Sequence, residues 1–109
     1  MELLNKVQLI GRIGNDPCEN LKYSTSNGDA MTYFSLAINR ANAKNETVTD
    51  WFNIKAYGKV AEIIVKHGEK GQLVYIEGRL EPLEKGATAI ILSGPFAQFR
   101  VVKSAKKAI

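Results

Sequence analysis

Apolar and polar side chains alternate along most of this chain with a period of two, which marks those stretches as β-strands. From Lys6 to Ile13, Val7, Leu9 and Ile13 fall on one side, with Lys6, Gln8 and Arg12 on the other. Gly11 and Gly14 interrupt this run, which predicts a bulge or sharp curvature. After Asn15-Asp16-Pro17, a short strand over Leu21 to Ser24 leads into Ser26-Asn27-Gly28-Asp29, where Asn-Gly predicts a hairpin turn. Met31 to Arg40 alternates again, with Phe34, Leu36 and Ile38 inward and Tyr33, Ser35, Ala37 and Asn39 outward. Ala41 to Val48 is polar without a helical stripe and is expected to be a loop. From Trp51 to Tyr57 the faces separate fully. Phe52, Ile54 and Ala56 suit a core, and Trp51, Asn53, Lys55 and Tyr57 point away from it.

The period changes once. Lys59 to His67 places Val60, Ile63 and Ile64 on a helical stripe, and Gly68 stands where a helix would end. Gln72 to Glu81 returns to strand, with Val74, Ile76 and Leu80 alternating against Tyr75, Glu77 and Arg79. Glu84-Lys85-Gly86 forms a turn into Thr88 to Leu92. Gly94-Pro95 then breaks the chain before a last extended piece, Ala97 to Val102. Strands, one short helix and a closing hairpin, with no βαβ alternation, predict an all-β OB-fold. That fold is a five-stranded antiparallel Greek-key barrel with its helix between strands three and four. Residues 1–102 are expected to form this single domain and 103–109 a short basic tail.

Composition narrows the function classes. The chain has 109 residues, 45% hydrophobic and 24% charged, which suits one ordinary globular domain. Its net charge of +4 favours an acidic partner. The single cysteine, Cys18, excludes an internal disulfide and fits a reducing compartment. No apolar run reaches membrane-spanning length, and the start MELLNKVQLIG lacks signal-peptide features. A cytoplasmic protein without membrane contact is therefore expected.

Exposed rings interleaved with cations suit unpaired nucleic acid, because rings stack on bases and cations neutralise phosphates. Trp51 and Tyr57 equally suit a second core or a subunit interface, so this strand alone leaves both readings open. The other chemistry-bearing residues reduce to structural roles. Cys18 has no His or second Cys nearby in sequence, and His67 complements a helix dipole beside Lys66. Asp16, Asp29 and Asp50 sit singly in turns, and no Lys-Ser/Thr follows Gly11 and Gly14 as a phosphate loop requires. No catalytic constellation forms, so neither enzymatic activity nor a metal or other cofactor is expected.

The succession NKVQLIGRIGNDP, an Asn-Gly turn, FSLAINR, TDWFNIKAYGKVAEI and VYIEGRLE resembles the bacterial and phage single-stranded DNA-binding proteins from about Asn5 to Phe99. The resemblance implies an OB-fold that binds single-stranded DNA without strong sequence preference, assembles as a homotetramer and serves DNA replication, recombination or repair. It places Trp51 and Tyr57 at stacking positions and Lys6, Lys22 and Lys59 at or beside basic ones. Together with the outward pattern, this gives an expected DNA path of Lys6, Arg12, Lys22, Tyr33, Arg40, Trp51, Asn53, Lys55, Tyr57 and Lys59. Val7, Leu9, Tyr75, Glu77 and Arg79 form the expected oligomer interface, a tetramer being favoured over a dimer.

Two features depart from the family pattern. Asn42 stands where many members carry a further aromatic, and the turn Leu83-Glu84-Lys85-Gly86 replaces a long hairpin that carries another. Stacking contributes about 1–3 kcal/mol per base, so weaker binding or a shorter site is expected. The basic end Lys106-Lys107-Ala108-Ile109 replaces the acidic, hydrophobic tip of cellular members, so no tail-mediated recruitment of repair enzymes is expected. The alternatives are an accessory OB-fold protein for RNA binding or helicase loading, and a module for protein interaction alone.

Overall fold

The structure, a computed structural model, describes residues 3–104. Its strands are β1 (Val7–Ile13), β2 (Lys22–Tyr23), β3 (Ala30–Ala41), β4 (Thr47–Tyr57), β5 (Leu73–Pro82), β6 (Thr88–Leu92) and β7 (Gln98–Lys103). A single helix, α1 (Lys59–His67), follows β4. The short β2 only extends the Asn-Gly hairpin against β3. Among the five barrel strands the helix therefore stands between the third and fourth, as expected, although it lies between β4 and β5 in chain order.

The barrel runs β1-β3-β4-β6-β5 and closes where β1 also pairs β5. Four of its contacts are antiparallel, and β4–β6 is parallel. A ring with an odd number of strands cannot alternate direction all the way round, so one parallel pair is required. The crossover through α1 and β5 supplies the connection that a parallel pair needs. β1 runs beside β5 from Val7 to Arg12 and meets β3 at Arg12 and Ile13, so it bends across the barrel seam. Gly11 permits the bend, since a Cβ there would come within 2.7 Å of the Ala37 carbonyl.

Inward side chains fill the barrel. Ile13, Phe34, Leu36, Ile54, Val74, Ile76 and Leu92 are all buried, and Phe99 of β7 meets Phe34 edge-on at 6.4 Å between ring centres. The buried Thr32 hydroxyl donates to the Pro17 carbonyl at 2.6 Å. Gln72, also buried, accepts from the Glu69 N–H and donates to the His67 carbonyl, which satisfies the end of α1. No buried side-chain polar atom among the described residues lacks a partner.

Several expectations shift. The helix buries Val60, Ala61 and Ile64, while Ile63 is exposed, because the small Ala61 lets the helix approach the barrel end closely. Leu80 is also exposed, since β1 covers β5 only as far as Gly78. The expected loop over Ala41 to Val48 shrinks to residues 42–46, as β3 and β4 continue past the barrel as a two-stranded ribbon. Lys103 belongs to β7, and residues 105–109 of the expected tail lie outside the described residues.

Candidate nucleic-acid interface

The register of β3 against β4 assembles one outward row from two strands. Met31 lies opposite Tyr57, Tyr33 opposite Lys55, Ser35 opposite Asn53 and Ala37 opposite Trp51. β2 adds Lys22 opposite Met31, and β1 adds Arg12 opposite Ala37. Cross-strand partners share a face, so Lys22, Tyr57, Tyr33, Lys55, Asn53, Trp51 and Arg12 occupy one continuous surface. Trp51 is 62% exposed, Tyr33 49% and Tyr57 37%, although a folded chain tends to cover such rings. Trp51 and Tyr57 are six residues apart, roughly 20 Å at about 3.3 Å per residue, so they mark the ends of the row rather than neighbouring sites.

Small residues beside Trp51 give its indole a seat. Ala37 leaves space across the ladder, and a Cβ on Gly14 would sit 2.6 Å from the indole Cζ3. The Gly14 N–H donates to the Ser35 carbonyl at 2.8 Å, and the Asn15 side-chain oxygen accepts from both the Ser35 N–H and its hydroxyl. The segment leaving β1 is thereby clamped onto β3 just where the indole lies. A ring held this way is pre-organised for stacking, and binding need not first order it.

Two hollows open along the row. One, of about 280 Å³, lies among Met31, Thr32, Tyr33, Lys55 and Tyr57. The other, of about 420 Å³, brings Asn15, Glu19, Asn20, Tyr33, Asn53 and Lys55 together with Leu83 from the β5–β6 turn. Lys22, Lys55 and Lys59 form no ion pair among the described residues, which leaves their charges available to an anion. Arg12 donates to the Gly71 carbonyl at 2.9 Å and has no ion-pair partner among the described residues.

Two expected cations lie elsewhere. Arg40 shares the parity of Phe34, Leu36 and Ile38, which places it on the opposite face, where it pairs with Asp50 at 2.7 Å. Lys6 sits 3.5 Å from Glu77 on the outer face of β1 and β5. That face carries a polar network in which Gln8 donates to the Tyr75 hydroxyl and the Tyr75 hydroxyl donates to Glu77 at 2.6 Å. The Tyr75 hydrogen bond, helped by the Lys6 charge, holds the Glu77 carboxyl below its ordinary value against a smaller opposing effect of desolvation. Arg79 pairs with Glu81. Val7 and Leu9, expected at a subunit interface, instead pack half-buried against the core, because they share inward parity with Gly11 and Ile13. The outward apolar residue of β1 is Ile10, 54% exposed.

Sequence patterning missed Gly14, Asn15, Asn20, Ala37 and Leu83 as parts of this surface. Their outward or turn positions were legible, but their convergence depends on β1 bending over β3. Asn42 organises the ribbon tip. Its side-chain oxygen accepts from the Lys44 and Glu46 N–H groups.

A family model, that of the single-strand binding protein family, matches residues 4–86. Single-stranded DNA-binding protein 1 of Synechocystis sp. is 40% identical over 78 residues, which cover 72% of this chain and 62% of that protein. The single-stranded DNA-binding protein of Neisseria meningitidis is 45% identical over 82 residues, 72% of this chain and 45% of that protein. This chain thus spans about half to three-fifths of the length of these relatives. Among solved structures, the Plasmodium falciparum SSB complex with ssDNA superposes with a TM-score of 0.78 at 31% identity, covering 94% of this chain and 98% of that one.

Proposed function

The chain belongs to the single-strand binding protein family, and from that premise we propose that it binds and protects single-stranded DNA without catalysis and with little sequence preference. The observation that carries this reading is the β3–β4 row, where Trp51, Tyr33 and Tyr57 stand exposed among Lys22 and Lys55, with Lys59 two residues beyond Tyr57 at the start of α1. Rings spaced along two strands offer stacking faces that every base can use, and the lysines meet phosphates regardless of sequence. The solved relative is a complex with ssDNA, which supports the reading that this chain binds single strands.

Assembly belongs to the same proposal. Ile10 stands exposed among Gln8, Arg12 and Tyr75, on a mixed surface that one small barrel leaves uncovered. Closed homo-oligomerisation, as a tetramer with a dimer as the smaller alternative, buries it and sets several DNA faces side by side. Action in the cytoplasm during replication, recombination or repair fits this role; no helix among the described residues is long and apolar enough to cross a membrane.

The test is a binding isotherm with labelled oligo(dT) beside a duplex of equal length, at fixed low salt. Saturable binding to the single strand and much weaker binding to the duplex is the expected result. Equal affinity for both forms contradicts a stacking mechanism, since paired bases offer no open faces.

A further inference from the structure

The larger hollow on the row has a chemistry that stacking and phosphate neutralisation leave unused. Three asparagines converge on it, and the fold fixes the orientation of two. Asn15 must turn its oxygen to the Ser35 N–H and hydroxyl, which leaves its NH2 group free to donate. Asn20 donates its NH2 to the Tyr33 carbonyl at 3.1 Å, which leaves its own carbonyl free to accept. Asn53 lies opposite Ser35, is exposed, and its side chain makes no hydrogen bond among the described residues. Its amide can turn either way. A fixed donor, a fixed acceptor and one adaptable amide therefore share a single hollow of about 420 Å³, flanked by the Tyr33 ring and Leu83.

We infer that this hollow is a subsite for one unstacked nucleobase, held by the hydrogen-bonding edge of the base rather than by its face. The inference rests on the reading that the β3–β4 face binds single-stranded DNA. Amides carry no net charge and match groups that alternate donors with acceptors, which is the character of a base edge. Glu19 and Lys55 open onto the same hollow with opposite charges, so it has no net charge to draw a phosphate in, and its remaining polar groups include the three amides. Every base presents donors and acceptors on its edge, and Asn53 turns to suit each arrangement. The subsite therefore demands a base without demanding a particular one.

Affinities for oligo(dT) and for an abasic strand of the same length, measured on the wild type, Asn53→Leu and Asn15→Asp, test this. Asn53→Leu is uncharged and breaks no hydrogen bond of the fold. It should weaken oligo(dT) binding about three- to tenfold, the worth of roughly one net hydrogen bond, and leave the abasic strand unchanged. Asn15→Asp keeps the oxygen that clamps Ser35 and exchanges the free donor for a second acceptor. Its added charge weakens both strands, and oligo(dT) should lose more. Equal losses on the two strands, or no loss in Asn53→Leu, would overturn the base-edge subsite while leaving single-strand binding intact. A wild type that binds neither strand would overturn the broader reading and this inference with it.

Discussion

Trp51 and Phe52 are adjacent in the chain and opposite in role. Alternation alone assigns them, because side-chain direction in a strand is a local property, and the structure agrees: Trp51 is exposed and Phe52 packs against the core. Trp51→Ala should cost about 1–3 kcal/mol of single-strand binding with an unchanged thermal midpoint. Phe52→Ala should lower the midpoint first and binding only as a consequence. Gly14 is a different case. Its backbone was legible as a break in β1, but its closeness to the indole arises from a contact 37 residues away and has no local signature. Gly14→Ala should unseat Trp51, raising the access of iodide to its fluorescence and weakening DNA binding while the circular dichroism of the barrel persists. Unchanged quenching would show that the indole does not depend on that seat. Arg40 shows how residue type misleads. Its parity with Phe34, Leu36 and Ile38 was visible in the sequence, yet its charge suggested the DNA path, and the fold pairs it with Asp50 instead.

At the scale of elements, β3 and β4 carry the proposed DNA face and β1 and β5 carry a separate polar network. The distinction gives a salt prediction. The logarithm of affinity should fall against the logarithm of salt with a slope of about −0.7 per phosphate neutralised on a single strand. Lys55→Glu should flatten that slope, whereas charge reversal at Lys6 or Arg40, each already engaged by a carboxylate, should leave it nearly unchanged. Equal flattening by all three would place the strand's path across both faces. The β1–β5 network gives a pH prediction. Glu77 is held below its ordinary value in the folded state, so its contribution is complete above the unfolded value of about 4.3 and is lost as pH falls through the lower folded one. Thermal stability of the wild type should therefore drop more steeply below about pH 4 than that of Glu77→Gln. The ribbon was the element least legible in sequence. Thr47, Val48 and Thr49 extend β4 beyond the barrel, where both faces meet solvent and alternation fades, so a polar strand looks like a loop.

For the whole molecule, barrel closure follows from the order of strands and was readable, since five short strands with one helix admit few closed arrangements. The seam was not readable. Which residues of β1 meet β3 and which meet β5 depends on the bend at Gly11, and that seam decides which side chains share the proposed DNA face. Light scattering at micromolar protein should give the mass of a closed oligomer, and Ile10→Asp should reduce it; a monomeric wild type would remove the assembly proposal. The central claim is that single-stranded DNA lies on the β3–β4 row, and Trp51, the chain's one tryptophan, reports on that row alone. The most direct measurement follows Trp51 emission and the anisotropy of labelled oligo(dT) in the same titration. The two signals should saturate together, with the emission quenched as bases stack on the indole. Saturating anisotropy with unchanged Trp51 emission would mean that the protein holds DNA on another face.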